Sequence, residues 1–157
     1  PHIRHERGTT FTVRTLCRSQ TFPVMRAVVV DTTDARATAE FYRELLGYDY
    51  RVDDAALAAG QADPRDQDWL ILMDDAGQPL ISFRHIDHLA HPTWPDPAVP
   101  MQLHVDLIVS NNDEMHENYR PAIELWATLV MDRTDDPAEP HYVLADPAAH
   151  PFCIFVG

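Results

Sequence analysis

Apolar and polar positions along this chain follow two rhythms, and the order of the rhythms repeats once. AVVV (27–30) is a β-branched run of strand length. TTDARATAEFYRELLG follows and reads as a helix, with Ala37, Phe41 and Leu45 four apart on one face. Thr33 or Asp34 can cap its free N–H groups, and Gly47 supplies a left-handed stop. YDYRV, WLILM (69–73) and PLISFRHI (79–86) are predicted strands, with an Ala- and Asp-rich loop at 53–68 and a DDAG turn before the last. The first half is therefore predicted to be βαβββ.

HPTWPDPAVP (91–100) has four prolines in ten residues and is expected to be a semi-rigid linker. Beyond it, QLHVDLIV (102–109) alternates as a strand does. NNDEMHENYRPAIELWATL reads as a helix with asparagine caps and acids in its first turn, where the dipole favours them. Pro121 is expected to kink or break that helix. ATLVM, HYVLA and PFCIF complete a second βαβββ. A shift of 72 places Asp74 on Asp146, Ala76 on Ala148, Pro79 on Pro151 and Phe83 on Phe155. A shift of 77 places Tyr42-Arg43 on Tyr119-Arg120 and Ala27 on His104. The halves read as duplicates.

Composition narrows the function classes. The formal net charge is −13 and there is no lysine, so neither nucleic acid nor an anionic membrane surface is an expected partner. No apolar run is long enough to span a bilayer. Two cysteines, Cys17 and Cys153, make no disulfide framework, and a reduced cytoplasmic setting is the expectation. Residues 1–24 carry four arginines and one acid, lack the apolar centre of a secretory signal, and read as an N-terminal extension to a folded unit beginning near Met25.

Paired βαβββ units with FYRELLG in the first helix and D-P-x-x-H-P-F entering the last strand resemble the vicinal oxygen chelate superfamily, which includes glyoxalase I, bleomycin-resistance proteins and extradiol dioxygenases. PTWPDP (92–97), QLHVDL (102–107) and LADPAAHPFC (144–153) resemble its bacterial glyoxalase-like subgroup, over about residues 26–156. The resemblance implies an α+β fold: modules 25–90 and 101–157, each a half-barrel, joined by the linker 91–100 and forming a cleft. It implies a homodimer. In metal-dependent members it also implies four ligands from equivalent strand positions, here Ala27, Ile81, His104 and Cys153. Two of these are aliphatic, which leaves too few donors for a first-row metal.

With His104 toward the cleft, strand alternation puts Asp106 and Ile108 there too, and Leu103, Val105, Leu107 and Val109 beneath the helix. By the duplication, Ala27, Val29, Ile81, Phe83, His85, Cys153 and Phe155 also face it, while Arg84 falls on the helix side. Trp94 can close one end or staple the linker to the core. His150 has the opposite parity to Cys153 and is expected to be structural. His85, His88 and His91 have the look of a metal tract, with solvent exposure as the simpler account.

Three functions remain open. The first is cofactor-free binding of a small, partly apolar or aromatic molecule, with a cation favoured by the charge. The second is a lyase, isomerase or dioxygenase with a divalent metal such as Zn, Ni, Fe or Mn on a rearranged set around His104 and Cys153. The third is a metal-free enzyme in which Asp106 orients His104 as general base.

Overall fold

The computed structural model describes residues 25–56, 58, 62 and 68–157. The predicted extension 1–24, with Cys17, and most of the loop 53–68 lie outside the described residues. The elements run β1 (Val28–Thr32), α1 (Ala35–Leu46), β2 (Asp49–Tyr50), β3 (Trp69–Met73) and β4 (Pro79–His85), then β5 (Val105–Val109), α2 (Asn112–Glu124), β6 (Thr128–Arg133), β7 (His141–Ala145) and β8 (Pro151–Val156). Each βαβββ set forms its own four-stranded sheet, ordered β1-β4-β3-β2 and β5-β8-β7-β6. In both, the first strand pairs in parallel with the last, and the remaining pairs are antiparallel. Neither sheet closes into a barrel.

Local chemistry sets the ends of the helices. Asp34 caps α1, its side chain accepting from Ala37 N at 2.9 Å. Asn111 caps α2 by accepting from Glu114 N, and the Glu114 carboxylate accepts from Ser110 N, a reciprocal box. The α2 helix runs through Pro121 to Glu124, contrary to the expected break. Pro121 sits in the last turn, and its carbonyl still takes Leu125 N at 2.9 Å. Both helices end on a left-handed residue: Gly47 (φ 69°) and Trp126 (φ 77°), each followed by an N–H that reaches back five residues, Tyr48 to Arg43 and Ala127 to Ala122. Glycine adopts that conformation freely, whereas tryptophan is strained there by on the order of 1 kcal/mol.

One core serves both modules. The buried side of α1 is Ala35, Thr38, Ala39, Phe41 and Tyr42; the predicted stripe was off by part of a turn, and Ala37 is exposed. Tyr42 stacks on Phe83 of β4 at 5.6 Å, while Phe41 meets Phe152 of β8 edge-on at 5.5 Å. The first helix thus packs on strands of both sheets. Met115 and Ala122 of α2 complete this cluster with Leu144 and Ile154, and Val105, Leu107 and Val109 pack against it as expected. Each fully buried large side chain contributes roughly 1.5–3 kcal/mol. Both sheets therefore spend one face on the shared core and leave the other uncovered.

Candidate functional site

The uncovered faces follow from strand register. In the second sheet β5, β8 and β7 align Asp106 with Cys153 and Val143, and Ile108 with Phe155 and His141. In the first sheet β1, β4 and β3 align Val29 with Ser82 and Ile71, and Asp31 with Arg84 and Trp69.

The second sheet matches the expectation from alternation: His104, Asp106, Ile108, Cys153 and Phe155 share the uncovered face. The first sheet does not. Ile81 and Phe83 point into the core, Phe83 with no exposed surface, and His85 shares their parity. Ser82 and Arg84 take the outward places instead. A bulge is the cause. Met73 pairs with Pro79 but Leu72 pairs with Ile81, so Leu80 is an extra residue in β4. The matching step in the second sheet, Ala145 with Pro151 and Leu144 with Phe152, has no insertion. A shift of 72 holds up to Pro79, and 71 holds beyond it. The position equivalent to Cys153 is Ser82, rather than Ile81.

The residues divide between two cavities. One, of about 370 Å³, is lined by Ala27, Val29, Ile71, Ser82 and Trp69, with Arg26 and Arg51 at its rim. The other, of about 120 Å³, is lined by Trp94, Met101, His104, His141, Val143 and Cys153. Trp94 reaches it from the linker, which folds on Thr93: Thr93 Oγ1 donates to Asp96 O (2.9 Å) and accepts from Val99 N (2.9 Å). His104 Nε2 lies 3.3 Å from Asp106 Oδ1, both side chains about half exposed. His141 packs against Phe155 at 4.5 Å. Burial pushes the Cys153 thiol up to about 11, and the carboxylates of Asp106 and Glu139 add to the shift. Cys153 is thus a protonated, half-apolar wall, not an activated nucleophile.

Arg84, expected on the helix side, makes two 2.7 Å hydrogen bonds to Asp31 on the uncovered face. Among the described residues His85 has a buried Nδ1 with no hydrogen-bond partner, and its Nε2 is 3.8 Å from Asp87. His88 and His91 are exposed. Sequence reasoning missed Ser82 and Arg84, whose outward positions depend on the bulge, and Ile71 opposite Ser82 on β3. His141 and Val143 could have been found by pairing β7 back from the Asp146 turn.

The four-ligand metal centre of the superfamily's metal-dependent members does not fit these residues. Its equivalent positions hold Ala27, Ser82, His104 and Cys153, split between the two cavities. Ala27 has no donor, and a serine hydroxyl is a poor ligand for a first-row metal, which leaves His104 and Cys153 short of the three or four protein ligands such an ion takes. Among the described residues no group of three or more His, Cys, Asp or Glu could hold an ion.

Among the described residues no helix is long and apolar enough to cross a membrane. The chain resembles a glyoxalase/bleomycin resistance protein/dioxygenase family enzyme from Burkholderia phytofirmans at 17% identity, covering 83% of this chain and 96% of that one, TM-score 0.60. It resembles the fosfomycin resistance protein FosX of Listeria monocytogenes at 13% identity, covering 87% and 95%, TM-score 0.59. A lactoylglutathione lyase from Agrobacterium tumefaciens gives 15% identity, 88% and 96% coverage, TM-score 0.53. At these identities the likeness is one of fold. Comparison with curated proteins returned no match. The sequence profile of the glyoxalase-like domain matches residues 27–155. With two βαβββ modules and nearly the whole folded unit inside that match, the chain belongs to the glyoxalase-like domain family.

Proposed function

We propose that the protein binds a small cationic, partly aromatic molecule on the uncovered face of its second sheet, without a metal. The observation that carries this reading is the lining of that face. Trp94, His141 and Phe155 supply aromatic surface, and Asp106 and Glu139 lie close enough to raise the Cys153 thiol. Aromatic faces beside carboxylates favour organic cations. The net charge of −13 adds long-range attraction of the same sign. A cavity of about 120 Å³ is small for such a ligand, and a second copy of the chain, as a homodimer, would complete it. A cytoplasmic setting suits the free thiol of Cys153.

The test is thermal unfolding with phenyltrimethylammonium, tryptamine and benzoate, alongside sedimentation of the unliganded protein. The cations raise Tm in a saturable way, Trp94→Ala removes the effect, and the protein sediments as a dimer. Equal stabilisation by benzoate, or none by either cation, would defeat the proposal.

A second reading rests on the 3.3 Å contact between His104 and Asp106. A carboxylate at that distance can orient the imidazole as general base toward a carbon acid. His104→Gln would then keep ligand affinity but stop solvent-hydrogen exchange into the bound molecule.

A further inference from the structure

The turn before the last strand of each module is built twice from the same parts. Asp74 N donates to Gln78 O, and Asp146 N donates to His150 O, both at 2.9 Å. The Asp74 carboxylate accepts from Ala76 N and Gln78 N; the Asp146 carboxylate accepts from Ala148 N and His150 N. Gly77 and Ala149 take matching left-handed conformations, φ 72° and 70°. The first copy makes this turn with an exposed Gln78, so the turn does not require a histidine.

In the second copy the ring is buried. His150 is 2% exposed, and its Nδ1 lies 3.0 Å from Oδ2 of Asp146, itself 2% exposed. An ionised carboxylate only accepts, so Nδ1 carries the proton, and in the neutral ring the lone pair is then on Nε2. Nε2 has no hydrogen-bond partner among the described residues. His150 also lines a cavity of about 410 Å³ at the seam between the modules, walled by Val29, Leu89, Ala90 and Leu103.

The polar groups reaching that cavity are mostly acceptors. Asp31 lines it, its two carboxylate oxygens each accepting one hydrogen bond from Arg84 at 2.7 Å and keeping further lone pairs. Gln102 donates its Nε2 to Ala90 O at 3.2 Å, which leaves its carbonyl oxygen. His88, exposed at the rim, can serve either way. Behind His150 the Asp146 charge has no arginine in hydrogen-bond contact among the described residues. Burial, and then the Asp146 carboxylate, raise the Tyr42 phenol well above its ordinary value, so Tyr42 brings no charge to the cluster.

We propose that the seam cavity is a second ligand site, in which Nε2 of the Asp146-held His150 and the Asp31 carboxylate receive the N–H groups of a small protonated amine. The chain has no lysine, so no ammonium of its own can fill that place. The site shares none of the second-sheet lining used above, and stands or falls independently of it.

The experiment is a two-bond ¹H–¹⁵N NMR titration of the labelled full chain with n-propylammonium, and with propionate and propanol as matched controls. Propylammonium shifts the His150 Nε2 signal saturably, and propionate does not. His150→Gln, which can still donate to Asp146, removes the site. Asp31→Asn, at a partly exposed position, weakens binding roughly tenfold, as loss of a charged acceptor should. Trp94→Ala leaves the response unchanged. No saturable shift with propylammonium, a larger one with propionate, or an unaltered affinity in Asp31→Asn overturns the proposal.

Discussion

The two modules have the same topology and present unlike surfaces. The uncovered face of the first sheet centres on Val29, Ser82 and Ile71, with the Asp31–Arg84 pair beside Trp69 and two arginines at the rim. That of the second centres on Asp106, Cys153 and Val143, with His104, His141 and Trp94 around them. Backbone pairing kept the frame, because strand order and core positions are tied to one shared interior. The uncovered positions carry no such constraint, so charge and aromaticity could separate there. The first face is a basic-rimmed apolar basin; the second is acidic and aromatic.

The sharpest way to break this comparison is through the core. Phe83→Ala is expected to cost about 4 kcal/mol in urea unfolding, because Phe83 is fully buried against Tyr42. Ile108→Ala, on a side chain 74% exposed, should cost less than about 0.5 kcal/mol. Similar losses at the two positions would mean that the bulge and the assigned faces are wrong.

The paired turns give a smaller contrast. Asp146→Ala leaves His150 and two backbone N–H groups without their acceptor in the interior, a loss of about 3 kcal/mol. Asp74→Ala removes the same backbone bonds where water can replace them, and about 1 kcal/mol or less is expected.

The smallest effect concerns Asp31 and Arg84. The Arg84 hydrogen bond lowers the Asp31 carboxyl below its ordinary 3.8, but both side chains are more than a third exposed and solvent screens the pair. A depressed carboxylate stabilises the fold above its unfolded pKa, and that contribution is lost as pH falls through the folded value. Arg84→Ala should therefore lower stability only slightly at pH 7. The difference from the parent should shrink as pH drops below 3.8, measured by denaturant midpoints across an acid series.

Much of the fold was legible in the chain because its signals are local and repeated. Asp34 and Gly47 mark the ends of α1 by capping chemistry, and the β-branched runs mark the strands. The duplication then supplied topology. The second-sheet face was also legible, since β5 and β8 pair without irregularity and simple alternation from His104 holds through Ile108. The first-sheet face was not. One additional residue inside PLISFRH reverses every side chain after it, and no glycine in that stretch announces the insertion. Pro121 misled in a different way: a proline reads as a helix breaker, yet three residues from the end it interrupts little of the hydrogen-bond ladder. The seam cavity depends on how β1 sits beside residues 88–90 and 102–103, a tertiary relation that no periodicity carries.

The extra residue at Leu80 has a consequence for descent. Once a one-residue gap is opened there, the side chains at the centres of the two faces, Ser82 and Cys153, are the same skeleton with oxygen exchanged for sulfur. What an ungapped alignment shows as an aliphatic replacement becomes a single-atom difference. The surroundings of the two midpoints differ far more than the midpoints themselves: arginines around the serine on one side, histidines around the thiol on the other.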